Sequence, residues 1–189
     1  THTPLNSLCD NGKFCDGLDV CSSAANFDCV IRPSDDFETN GLDPALWTSA
    51  GTISGFPSKA VLTATGTDTT SVVGNWEFTG NFEWSVEVKG LTPAAGCTVE
   101  LYAEESVGGL KYGWHFGADS AANKNFVGDT DYETGFDAKT GTYKLKRIGT
   151  NLIGVGAEAA GNFSCTNCVT ADTKTKIEFR VQCANTICG

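Results

Sequence analysis

The sequence has no methionine, only two histidines, and thirteen Lys and Arg against twenty-three Asp and Glu. Each shortage excludes something. Without Met, Thr1 is read as not being a translation start, with an upstream segment removed by a signal peptidase, another protease or the choice of boundary. A formal charge of −10 works against binding nucleic acid or anionic lipid and suits divalent cations, neutral glycans or basic surfaces. No apolar run approaches the roughly 18 residues that a membrane helix needs, so no membrane insertion is expected. His2 and His115 stand far apart in the sequence, with no Ser-His-Asp arrangement and no nucleotide-binding glycine loop.

What is plentiful is cysteine: nine in 189 residues, which argues for an oxidising compartment and an extracellular or cell-surface location. Disulfides are expected within two clusters: Cys9, Cys15, Cys21 and Cys29, then Cys165, Cys168, Cys183 and Cys188. Each cluster of four admits three pairings, which spacing does not decide. Cys97 stands alone, either buried and inert or bonded between chains, and its place at the start of a strand favours burial. Cys165-Thr-Asn-Cys168 with Cys183 and Cys188 also reads as a four-thiolate zinc site, but the oxidising context favours disulfides.

Three segments follow along the chain: residues 1–8 as leader or linker, 9–33 as a cysteine-rich module, and 34–189 as the main domain. The module is too short to bury a core and needs disulfides to hold it. Its Asp10, Asn11, Asp16 and Asp19 serve either as turn residues or as oxygen ligands for Ca²⁺. From residue 35 on, the pattern is all-β. Asn81 to Lys89 alternates, with Phe82, Trp84, Val86 and Val88 on one side. Cys97 to Glu104 repeats this with Glu100, Tyr102 and Glu104 outward. Leu110 to Gly117 and Lys176 to Cys183 alternate likewise, and Thr142 to Ile153 reads as a hairpin turning at Gly149 to Asn151. Alternation without a helical period predicts an antiparallel two-sheet sandwich. Residues 119–137 read as a long polar loop whose Asp129, Asp131 and Glu133 could hold Ca²⁺. Asn162-Phe163-Ser164 is a formal glycosylation acceptor.

Two stretches carry a family resemblance. Ser34 to Trp47, SDDFETNGLDPALW, sets Phe37 and Trp47 as apolar anchors on either side of a turn marked by Asn40-Gly41 and Asp43-Pro44. The hairpin YKLKRIGTNLI follows a hundred residues later. Together they resemble the concanavalin A-like, laminin G-type jelly-roll domains, over about residues 35 to 183. CDNGKFCDGLDVC resembles the short cysteine-rich repeats beside surface domains of bacterial secreted proteins. The resemblance implies a jelly-roll sandwich behind a small disulfide-rich N-terminal module. That fold hosts lectins, adhesion domains and glucanases alike.

The resemblance also implies where hydrolase chemistry would sit. Glucanases of this fold carry E-x-D-x-E, and the nearest matches are Glu83 to Glu87 and Glu100 to Glu104, with Ser85 or Tyr102 in place of the central acid. On that ground the sequence is read as no enzyme. The expectation is a secreted, non-catalytic module for carbohydrate binding or cell adhesion, with Ca²⁺ as its one conceivable cofactor. Its ligand site would be Glu100, Tyr102, Glu104, Lys111 and His115, and its partner a glycan or cell-surface ligand. The alternative is a structural subunit of an extracellular assembly whose partners are copies of itself; a glucanase-type glycoside hydrolase ranks last.

Overall fold

Period-two alternation becomes sheet wherever one side chain in two can be buried. In β7 (Phe82–Val88) the buried Phe82 and Trp84 alternate with exposed Glu83 and Ser85, and in β12 (Gly141–Ile148) Tyr143, Leu145 and Arg147 are buried between exposed neighbours. A computed structural model describes residues 19–21, 29–31, 37, 41–57, 59–91, 93–137 and 140–184, the first two segments by backbone alone. The chain divides into two compact units, Thr1–Asp36 and Phe37–Gly189. In the first, β1 (Asp19–Cys21) and β2 (Cys29–Ile31) form an antiparallel hairpin that sets residue 21 opposite residue 29. The expectations placed on Cys9, Cys15 and Cys188, on the side chains of Cys21 and Cys29, and on calcium at Asp10, Asn11, Asp16 and the Asp19 side chain lie outside the described residues.

The second unit is an antiparallel jelly-roll sandwich. Its strands are β3 (Trp47–Ala50), β4 (Thr52–Ser54), β5 (Val61–Thr63), β6 (Thr69–Gly74), β7, β8 (Cys97–Glu105), β9 (Lys111–Phe116), β10 (Lys124–Val127), β11 (Thr130–Thr134), β12, β13 (Asn151–Val155), β14 (Phe163–Cys165) and β15 (Thr175–Cys183). One sheet runs β11-β10-β9-β8-β15-β6-β3 and the other β14-β13-β12-β7, with β4 and β5 as a separate hairpin. Between them pack Trp84, Leu101, Tyr112, Trp114, Tyr143 and Leu145, among others. Trp114 donates its indole N–H to the Gly161 carbonyl at 2.8 Å, so this ring is core and not a surface platform. No described helix is long and apolar enough to cross a membrane.

The turn at the start of the unit forms as its residues dictate. Asp43 takes the Ala45 N–H on its carboxylate at 2.9 Å and the Leu46 and Trp47 N–H groups on its carbonyl. Trp47 then meets Phe37, Trp76 and Phe179 at ring distances of 6.4, 4.7 and 5.9 Å. The β12–β13 hairpin turns at Gly149-Thr150, where Gly149 takes φ 59°, a conformation that glycine adopts without steric cost.

Two sequence expectations are corrected. The polar stretch 119–137 is no long loop: β10 and β11 pair as a hairpin within it. The short polar run hid this because Asn125, fully buried, takes the Glu133 N–H on its side-chain oxygen at 2.9 Å. Nor is Cys97 solitary. It is bonded to Cys183, its register partner across β8 and β15, while Cys165 is bonded to Cys168. Grouping by sequence distance failed because β15 returns beside β8. The Cys97–Cys183 bond joins positions 86 residues apart. Replacing both cysteines with alanine is expected to cost about 3 kcal/mol in urea unfolding, whereas opening the three-residue Cys165–Cys168 link costs far less, because a short loop constrains the unfolded chain little.

A second stability prediction concerns Glu105. It stands on the core side of β8, 3% exposed, with one oxygen accepting the Thr170 N–H at 3.3 Å. Burial raises its pKa more than that bond and the Arg147 charge lower it. A raised carboxyl favours the fold fully below the unfolded value and loses that contribution as pH rises through the folded one. Glu105→Gln is therefore expected to raise Tm near neutral pH, with the gain vanishing below about pH 4, where the unfolded carboxyl is itself protonated. An unchanged Tm difference across that range would refute it.

Candidate active site

Three cross-strand rows define the outward face of the seven-stranded sheet at its middle. Register places His115, Glu100 and Arg180 side by side on β9, β8 and β15. The next row is Gly113, Tyr102 and Glu178, and the third Lys111, Glu104 and Lys176. The five ligand residues named from sequence therefore share one face. Lys176, Glu178 and Arg180 join them on β15; the alternation in KIEFRVQC, with Ile177, Phe179 and Val181 inward, already carried that signal.

Each outward-facing β8 carboxylate meets a cation. Glu100 lies 3.3 Å from His115 Nδ1 and 3.7 Å from Arg180, and Glu104 lies 3.8 Å from Lys111. The His115 hydrogen bond holds the Glu100 carboxyl below its usual range against the opposing effect of burial, with the charges of His115, Arg180 and Lys111 adding to the lowering. Arg180 also grips Glu178 at 2.7 Å.

Tyr102 departs from the expected exposed platform. It is fully buried, with Lys111 4.8 Å and Arg180 5.4 Å from its ring centre, close enough for cation–π attraction. Among the described residues its hydroxyl makes no hydrogen bond of good geometry, although the Glu178 carboxylate lies beside it. Burial pushes the phenol's pKa upward, and Glu178 beside it adds to the push, so Tyr102 supplies neither a nucleophile nor an open stacking surface. Gly113 belongs to this row because a Cβ there would strike the Leu101 carbonyl; β9 comes too close to β8 for any side chain.

Beside Glu104 lies a cavity of about 370 Å³ whose walls include Val73, Glu77, Ser106, Lys176 and Glu178. The other carboxylate pair, Glu83 and Glu87, lies on the outward face of the four-stranded sheet, where Lys146 and Lys89 meet them. The two motif matches thus belong to different sheets. The suggested calcium ligands are spread along the β10–β11 hairpin: Asp129 in the turn, Asp131 paired with Lys124 at 3.0 Å, and Glu133 opposite Asn125. Among the described residues no three of His, Cys, Asp and Glu come together as a metal site.

No family model matches the chain, and no curated protein matches it. Solved structures do. The β-glucanase of Bacillus licheniformis superposes with a TM-score of 0.56 at 14% identity, over 80% of this chain and 85% of that one. The apo Crh5 transglycosylase gives 0.57 at 17%, over 79% and 68%. A prokaryotic β-1,3-1,4-glucanase (lichenase) from a mouse hindgut metagenome gives 0.55 at 10%, over 81% and 86%. These likenesses establish the concanavalin A-like jelly roll and lend no support to the cysteine-rich repeat expected before it. They also overturn the expectations of a non-catalytic binding or adhesion module and of no enzyme, with the assembly subunit as alternative, because the similar structures are glucanases and a transglycosylase.

Proposed function

We propose that the chain is a glycan-acting enzyme of an oxidising, extracellular environment that cleaves or transfers β-glucan chains. Glu100 is its anionic carboxylate and Glu104 its proton donor. One observation carries the reading: Glu100 and Glu104 lie on one face of β8, two residues either side of Tyr102, with Glu104 bordering a cavity, in a fold shared with glucanases. A neutral glycan suits a chain of charge −10, and the two described disulfides suit secretion.

The chemistry follows from the charges. His115 and Arg180 keep Glu100 ionised, as attack on an anomeric carbon requires. Glu104 gives its proton to the glycosidic oxygen as the C–O bond breaks and the Glu100 oxygen bonds to the sugar. Water, or a sugar hydroxyl in transfer, then returns a proton to Glu104 as it displaces Glu100. Four residues of strand span about 13 Å, whereas this double displacement needs carboxyls about 5 Å apart. The two side chains must lean together over Tyr102, so the Glu104–Lys111 pair opens during turnover.

The test is incubation with β-1,3-1,4-glucan and other β-glucans, measuring reducing ends and chain-length redistribution together, since transfer alters length without creating ends. New products are expected from the wild type and none from Glu100→Gln. Absence of product by both measures on every β-glucan would sink the reading.

A further inference from the structure

Resting on the reading of Glu100 as the attacking group, we infer that His115 is its positioning residue, fixing the orientation of the Glu100 carboxylate through a hydrogen bond from Nδ1. Register sets His115 between Glu100 on β8 and Lys124 on β10, and Lys124 is itself held by Asp131 on β11. The other groups facing Glu100 are Arg180 with Glu178 on β15, Lys111 on β9, and Tyr102 and Glu104 along its own strand. Arg180 divides its hydrogen-bonding groups between Glu100 and Glu178, so His115 makes the shorter contact to Glu100, 3.3 Å against 3.7 Å.

An ionised carboxylate only accepts hydrogen bonds. The ring nitrogen facing it therefore carries hydrogen in both charge states of the imidazole. Neutral His115 is thus held as the Nδ1–H tautomer, and it orients Glu100 whether charged or not.

Two independent readouts test this. Imidazole ¹⁵N shifts of the neutral ring in the wild-type protein are expected to report the Nδ1–H tautomer, and Glu100→Val is expected to lose it; this arm needs no turnover. In glycan cleavage, His115→Phe is expected to lower kcat by about 100-fold, the scale of a misoriented reacting group, with KM nearly unchanged and the acid limb of kcat/KM moved to higher pH. His115→Gln, which keeps an N–H donor without a titrating ring, should recover most of kcat. An Nε2–H tautomer in the wild type, or a Phe variant with unchanged kcat and acid limb, overturns the inference. Wild-type turnover by Glu100→Gln removes Glu100 itself from the reaction, and so the role given His115, while the tautomer result stands as a separate fact.

Discussion

Glu104→Gln is expected to lower kcat on unactivated β-glucan by about 10³-fold, within the range that a positioned acid contributes and equivalent to about 4 kcal/mol of barrier. An alkoxide of a sugar is a poor leaving group and must be protonated as it departs. A nitrophenyl glycoside departs without that help, so the same variant should retain far more of its rate on such a substrate. Glu100→Gln should be inactive on both, because no activated leaving group replaces the attacking oxygen. Glu87→Gln, on the outward face of the other sheet, serves as the control that leaves turnover unchanged. Equal losses on glucan and nitrophenyl glycoside for Glu104→Gln would rule out its role as acid.

Arg147→Ala is expected to destabilise the sandwich by about 4 kcal/mol, lowering Tm by roughly 10 °C for a unit of this size. Arg147 lies on the buried face of β12, fully enclosed. Its guanidinium donates to the Gly80 carbonyl at 2.7 Å, the Thr173 carbonyl at 2.9 Å and the Thr175 hydroxyl at 3.0 Å. It also stacks 4.8 Å from the Phe82 ring centre. Tyr112 shares the Thr175 hydroxyl at 3.2 Å. Removing the guanidinium strands buried oxygens and leaves a void, and both terms act in one direction. Arg147→Met refills the space without restoring the bonds, so its remaining deficit measures the polar share. A loss under about 1 kcal/mol for the alanine variant would show these groups finding water instead.

The sequence made the sandwich legible because alternation survives wherever strands are long. Residues 82–88, 97–105, 111–116, 141–148, 151–155 and 175–183 all lie in strands close to where the alternation predicts them. The outward parity of Glu100, Tyr102 and Glu104 follows from the same rule. Short strands escaped it: β14 has three residues and β10 four, too few to show a period. Arg147 was legible only as parity, two residues beyond Leu145, where a charged residue stands in a core register. Tyr102 was misjudged for a different reason. Facing outward does not mean being wet, and two long cationic side chains from neighbouring strands cover the ring. The bond from Cys97 to Cys183 needed strand order, which local pattern does not contain.

The placement of β15 has a consequence for synthesis. The last described strand lies in the interior of the larger sheet, between β8 and β6. Until it leaves the ribosome, both of those strands present unpaired edges, and about a hundred intervening residues must wait. Such late, distant closure slows folding to milliseconds or longer and leaves the nascent chain open to wrong partners meanwhile. A ribosome stalled just short of residue 175 should therefore display a protease-sensitive chain in which everything from β6 onward is still unprotected.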